Sequence, residues 1–136
     1  MSSLENDQQI AHNKNQHNKV TILVVEDDDY IGSLLMDVLN QETPYNALRV
    51  SDALEALQAI DHVKPSLFIT DYHLPLMNGL ELSDRVRAMQ GLDDVPIIMI
   101  SCFLPVEEVQ KRKLVSLSKP FNLDVFLDTV DKLLSR

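Results

Sequence analysis

Ser66-Leu67-Phe68-Ile69-Thr70-Asp71, running on into Tyr72-His73-Leu74-Pro75-Leu76-Met77-Asn78-Gly79, decides the fold. An apolar run of strand length ends on one aspartate. A turn segment carrying Pro75 and Asn78-Gly79 follows before helical periodicity resumes. The acid therefore stands at the carboxyl end of a strand. In an open parallel sheet that edge is where ligands bind, because the crevice lies beyond the strand tips and the loops there are free to carry function.

Three more apolar runs resemble this one. Val20-Thr21-Ile22-Leu23-Val24-Val25 is β-branched and nearly continuous, as a strand covered on both faces must be. It stops abruptly at Glu26-Asp27-Asp28-Asp29. Ile31, Leu34, Leu35, Val38 and Leu39 then fall on one face of a helix, with Asp28 or Asp29 available to cap it. Val95 to Ile100 reads as another central strand and ends on Ser101-Cys102, and Leu114 to Leu117 as a short one before Ser118-Lys119-Pro120.

The remaining elements fall between these runs. Ala47 to Val50 is a weaker strand, and Ser51-Asp52 opens a helix through Ala53, Ala56, Leu57 and Ile60. Gly79 to Met89 reads as a third helix, with Gly91 at its C-terminal side. Between Phe103 and Lys113 the periodicity is poor, which predicts an irregular helix of two or three turns beginning near Pro105. Its charges, Glu107 to Lys113, read as a solvated face. Leu123, Phe126, Leu127, Val130, Leu133 and Leu134 line a last amphipathic helix. Five strands alternating with five helices specify an α/β domain with a doubly wound parallel sheet and right-handed crossovers.

The totals bound the function. A chain of 136 residues with 45% hydrophobic content fits one core. A formal net charge of −9 argues against nucleic-acid binding, which needs clustered Lys and Arg. The one cysteine, Cys102, excludes an internal disulfide and a zinc site built on several thiolates, and it reads as a packed, inert thiol. No window reaches the roughly 18 unbroken apolar residues of a membrane span, and a cytoplasmic protein is expected. Residues 1–19 are polar and read as a disordered tail, with His12 and His17 solvated, which leaves 20–136 as the domain.

The polar strand ends carry the chemistry. Glu26, Asp27, Asp71, Ser101 and Lys119 each follow on an apolar run, so a parallel sheet would gather them at one edge. Three carboxylates there would raise one another's pKa unless a cation shared the site. Hard oxygen ligands with room for water suit Mg²⁺. Lys119 and the Ser101 hydroxyl can meet an anion's oxygens, so the set suits formation of an aspartyl-phosphate.

These segments resemble the receiver domain of bacterial two-component response regulators, a flavodoxin-like fold. The matching stretches are Ile22 to Asp28, Val50 to Leu57, Asp71 to Leu80, Pro96 to Ser101 and Ser118 to Phe121. The resemblance implies that Asp71 is the phosphoacceptor and Asp27 a direct Mg²⁺ ligand. It implies that Glu26 completes the acid pair and that the His73 backbone carbonyl is a further ligand; the His73 side chain itself reads as a loop group that partly shields Asp71, with no ligand role for its ring. Ser101 would bond the phosphoryl oxygen, and Lys119 would be the family lysine, followed by a cis bond to Pro120. The implied donor is a histidine kinase or phosphotransfer protein, and the implied output is a downstream protein target. Such a domain is not a turnover enzyme, although it catalyses its own phosphorylation and dephosphorylation. No output domain follows Arg136 in the sequence, so a single-domain regulator is expected.

Two departures from the family pattern stand out. The family places Tyr or Phe three residues before the lysine, where this chain has Ser116. The Ser101 to Lys119 spacing is also shorter by about four residues, roughly one helical turn. A second reading keeps the receiver fold as an interaction module with its switch altered or lost. A third, a phosphohydrolase with an aspartate nucleophile, takes Asp27 to Asp29 as paired acids but lacks the threonine that motif needs.

Overall fold

The computed structural model describes residues 20–135; the polar segment 1–19, with His12 and His17, lies outside them. Strands β1 (Thr21–Val25), β2 (Asn46–Val50), β3 (Leu67–Asp71), β4 (Ile97–Ser101) and β5 (Val115–Ser118) form one sheet in the order β2-β1-β3-β4-β5. Every neighbouring pair is parallel. Helices α1 (Asp29–Glu42), α2 (Ala53–Ile60), α3 (Gly79–Arg87), α4 (Val106–Lys111) and α5 (Leu123–Leu134) make the crossovers and the last layer.

The three central strands are buried along their whole length, and side-chain alternation divides them between two cores. Leu23, Val25, Phe68, Ile97 and Met99 face α2, α3 and α4 through Ala56, Ile60, Leu82, Val86 and Val109. Ile22, Val24, Leu67, Ile69, Ile98 and Ile100 face α1 and α5 through Leu35, Leu39, Phe126 and Val130. Each fully buried large side chain contributes about 1.5–3 kcal/mol, so this double burial is what holds the strand tips in register.

Four of the helices start on a side-chain cap. Asp28, Asp52, Asn78 and Asn122 accept from the backbone N–H groups of Ile31, Glu55, Glu81 and Asp124, at 2.9, 2.8, 2.9 and 2.6 Å. Asp28 is thus the cap of α1, and Asp29 lies in its first turn. Helix α4 differs: Pro105 stands at its N-cap with no side-chain bond, and it spans six residues, shorter than the two or three turns expected.

Some expectations need correction. Helix α3 ends at Arg87 short of Met89, and Gly91 sits in the following turn at φ 84. Strand β4 begins at Ile97, because Pro96 has no N–H for a ladder bond and contributes its carbonyl to Phe68 N–H instead, at 3.0 Å. Cys102 is exposed, not packed, since the chain leaves the sheet after Ser101. The charges after Pro105 are more than a solvated face. Arg112 grips Asp84 of α3 through Nε and Nη2 at 2.8 and 3.1 Å and Glu108 through Nη1 at 2.5 Å, while its carbonyl accepts from Arg87. The C-terminal end of α4 is thereby fastened to α3.

Candidate functional site

Backbone pairing brings the polar residues together. Glu26 directly follows β1 and its N–H bonds the Val50 carbonyl at 3.1 Å, so it remains tied to the sheet. Asp71 closes β3 and Ser101 closes β4, and Lys119 follows β5 with its N–H on the Ser101 carbonyl at 2.9 Å. All lie at the carboxyl edge. Glu26, Asp71 and Ser101 are buried, at 2%, 6% and 1% exposure, and Asp27 is exposed.

The lysine points into the acids. Lys119 Nζ lies 2.9 Å from Asp71 Oδ2 and 3.5 Å from Glu26 Oε1. Glu26, Asp27 and Asp71 each offer a carboxylate oxygen within 4.8 Å of the other two. Two like charges at that distance repel by roughly 3 kcal/mol in a partly solvated setting, and one ammonium does not balance three carboxylates.

The strain shows in the titration of the site. Burial, then the hydrogen bond and charge of Asp71, push the Glu26 carboxyl up to about 7, against the opposing pull of Lys119. Burial alone would lower Lys119, but Asp71 and Glu26 outweigh it and hold the ammonium above its ordinary value. The donor set can hold a divalent cation: three hard carboxylate oxygens converge, and one belongs to an exposed residue, which leaves room for retained waters.

The segment after Asp71 is built for close approach. His73 N–H donates to Asp71 Oδ1 at 3.2 Å, and its exposed ring packs edge-on against Tyr72 at 4.8 Å between centroids. Gly79 N–H bonds the Tyr72 carbonyl at 2.8 Å, and a Cβ on Gly79 would stand 2.6 Å from the Asp71 carbonyl. No side chain fits there, so glycine lets α3 start directly against the end of β3. Ser101 Oγ accepts from Phe103 N–H at 3.1 Å, which ties the hydroxyl to the β4–α4 connection. Ser116 is exposed on the edge strand β5.

Sequence reasoning missed Arg49. Its guanidinium reaches from β2 to the acid loop, donating to the Glu26 carbonyl from Nε at 3.1 Å and from Nη2 at 2.7 Å. The available signal was a lone charge inside an otherwise apolar strand.

A parallel α/β sheet with an acid cluster and a lysine at its carboxyl edge defines a class, and comparison with known proteins gives the family. The family model for the response regulator receiver domain matches residues 22–131, and the chain belongs to that family. Sporulation initiation phosphotransferase F of Bacillus subtilis (strain 168) is 29% identical over 117 residues, covering 83% of this chain and 92% of that protein. The polar-differentiation response regulator DivK of Brucella anthropi is 25% identical over 114 residues, covering 81% and 92%. Among solved structures, the Vibrio cholerae chemotaxis protein CheY4 superposes with a TM-score of 0.77 at 26% identity, covering 85% of this chain and 98% of that one. Among the described residues, no helix is long and apolar enough to cross a membrane.

Proposed function

We propose that this receiver domain accepts a phosphoryl group on Asp71 from a phosphohistidine of a histidine kinase or phosphotransfer protein, and signals through a protein partner. The reading takes residues 20–136 as the domain and the cytoplasm as its compartment. The observation that carries it is the Lys119 ammonium 2.9 Å from a buried Asp71 whose neighbours, Glu26 and Asp27, lie within 4.8 Å.

In the transfer, an Asp71 carboxylate oxygen attacks phosphorus in line, the O–P bond forms, and the P–N bond to the donor imidazole breaks with its electron pair going to nitrogen. Lys119 meets the charge on the phosphoryl oxygens, and the Ser101 hydroxyl, with its lone pair engaged by Phe103 N–H, has its proton free to donate to them. Glu26, Asp27, Asp71 and the His73 carbonyl would hold Mg²⁺, which when bound offsets the like charges and polarises the phosphoryl group. Incubation with acetyl phosphate and Mg²⁺ should label the wild type and leave Asp71→Asn unlabelled; equal labelling of the variant refutes the assignment.

A second reading, an interaction module with an altered switch, is favoured by the exposed Ser116 and the six-residue α4 pinned to α3 by Arg112. Beryllofluoride with Mg²⁺ separates the two. Backbone NMR shifts that spread from Asp71 into α4 and β5 support the switch, and shifts confined to the pocket support the module.

A further inference from the structure

Arg49 interrupts an apolar strand with a charge, and its side chain is 18% exposed. Both Nε and Nη2 donate into one loop. Beyond the two bonds to the Glu26 carbonyl, Nη2 reaches the Asp28 carbonyl at 3.3 Å and Asp29 Oδ1 at 3.2 Å. The Glu26 N–H is already held by Val50, and Asp28 N–H donates to Glu26 Oε2 at 3.3 Å. The acid loop is therefore gripped through both its backbone and its side chains.

Gly32 makes room for this grip. A Cβ there would lie 2.2 Å from Arg49 Nε and 2.4 Å from Cζ, so the guanidinium occupies the notch a side chain would fill. Glycine inside a helix is otherwise unfavourable next to alanine. Gly32, in α1, and Arg49, in β2, thus form one device, because the helix gives up a side chain where the strand sends one across.

We propose that Arg49, seated on Gly32, is a positioning residue that fixes the loop from Glu26 to Asp29 so that the Glu26 and Asp27 carboxylates present a preformed site to the divalent cation. The proposal rests on the reading of this pocket as a Mg²⁺ site and adds to it the groups that orient its ligands. Its sign is diagnostic. A cation beside a cation site weakens binding by charge, so electrostatics by itself predicts tighter Mg²⁺ binding once Arg49 is removed, whereas positioning predicts weaker binding. Loss of groups that orient a ligand commonly costs 10–100-fold in metal affinity.

The test measures Mg²⁺ affinity of the full chain by calorimetry for wild type, Arg49→Met, Arg49→Lys, Gly32→Ala and the Arg49→Met/Gly32→Ala double variant. Arg49→Met should bind about tenfold more weakly, and Arg49→Lys should recover little, since an ammonium lacks the fork that spans two carbonyls. Gly32→Ala should also weaken binding although alanine is the better helix former, and the double variant should be no worse than Arg49→Met. Unchanged or tighter binding by Arg49→Met, or losses that simply add, overturns the proposal. A metal-free arm separates it from the reading it rests on: amide exchange at Asp28 and Ile31 should quicken in Arg49→Met and in Gly32→Ala while sheet amides hold. If that exchange does not change, the clamp is rejected whatever the metal does. If it quickens but wild type binds no Mg²⁺, the clamp stands and the metal reading falls.

Discussion

Glu26 titrates near neutrality, which makes metal-free stability depend on pH in an unusual direction. Its folded-state value of about 7 lies above the ordinary 4.5, so between those limits the folded protein binds a proton that the unfolded chain has released. Stability from this group is therefore fully present below about pH 4.5 and is lost as pH rises through about 7. At about 1.4 kcal/mol per pH unit the rise sets a ceiling of roughly 3.5 kcal/mol over the whole window, of which roughly 2 kcal/mol falls between pH 5.5 and pH 8. Urea unfolding in EDTA at pH 5.5 and pH 8 measures the effect, with Glu26→Gln as the control that cannot ionise. The wild type should lose about 2 kcal/mol more than the variant over that interval. Equal losses, or a wild type that gains stability relative to Glu26→Gln, would refute the reasoning. Mg²⁺ binding should expel the same proton, so calorimetry in buffers of different ionisation enthalpy should find proton release at pH 6 that disappears above pH 8.

Other consequences are more local. Lys119→Met leaves buried carboxylates without their counter-charge and should cost about 2–4 kcal/mol at pH 8 in EDTA, with saturating Mg²⁺ restoring part of it in the same urea titration. Gly79→Ala drives a Cβ to 2.6 Å from the Asp71 carbonyl, so it should destabilise by about 1–3 kcal/mol and slow labelling by acetyl phosphate. Leu76, 97% exposed at φ 73, holds a backbone conformation that branched and bulky residues avoid. Leu76→Asn should raise stability by about 0.5–1 kcal/mol in thermal melts, and a fall would show that the leucine makes a contact this account omits.

The runs that predict β1, β3 and β4 were legible because a sheet covered on both faces leaves no polar alternation inside a strand. Asp28 and Asp52 likewise announce their helices locally, while the caps at Asn78 and Asn122 went unread. The convergence of Glu26, Asp27, Asp71 and Lys119 followed from parallel topology, since each acid or lysine stands within two residues of the end of an apolar run. What stayed hidden depends on partners distant in sequence. Arg112 reads as a surface charge until α3 brings Asp84 against it, and Arg49 has no meaning until Gly32 and the Glu26 carbonyl surround it. Cys102 was misread because a residue just past a strand belongs to the departing loop, and apolar neighbours in sequence do not make it a core residue. Helix α4 gave a weak pattern for a physical reason: six residues with no side-chain cap carry little periodicity.

Covalent trapping at the acceptor reaches the central claim most directly. Borohydride reduces an acyl phosphate to the alcohol, so protein treated with acetyl phosphate and Mg²⁺, then reduced and mapped by mass spectrometry, should carry homoserine at position 71 and nowhere else. Homoserine at another acid, or an intact Asp71 after full labelling, would contradict the account.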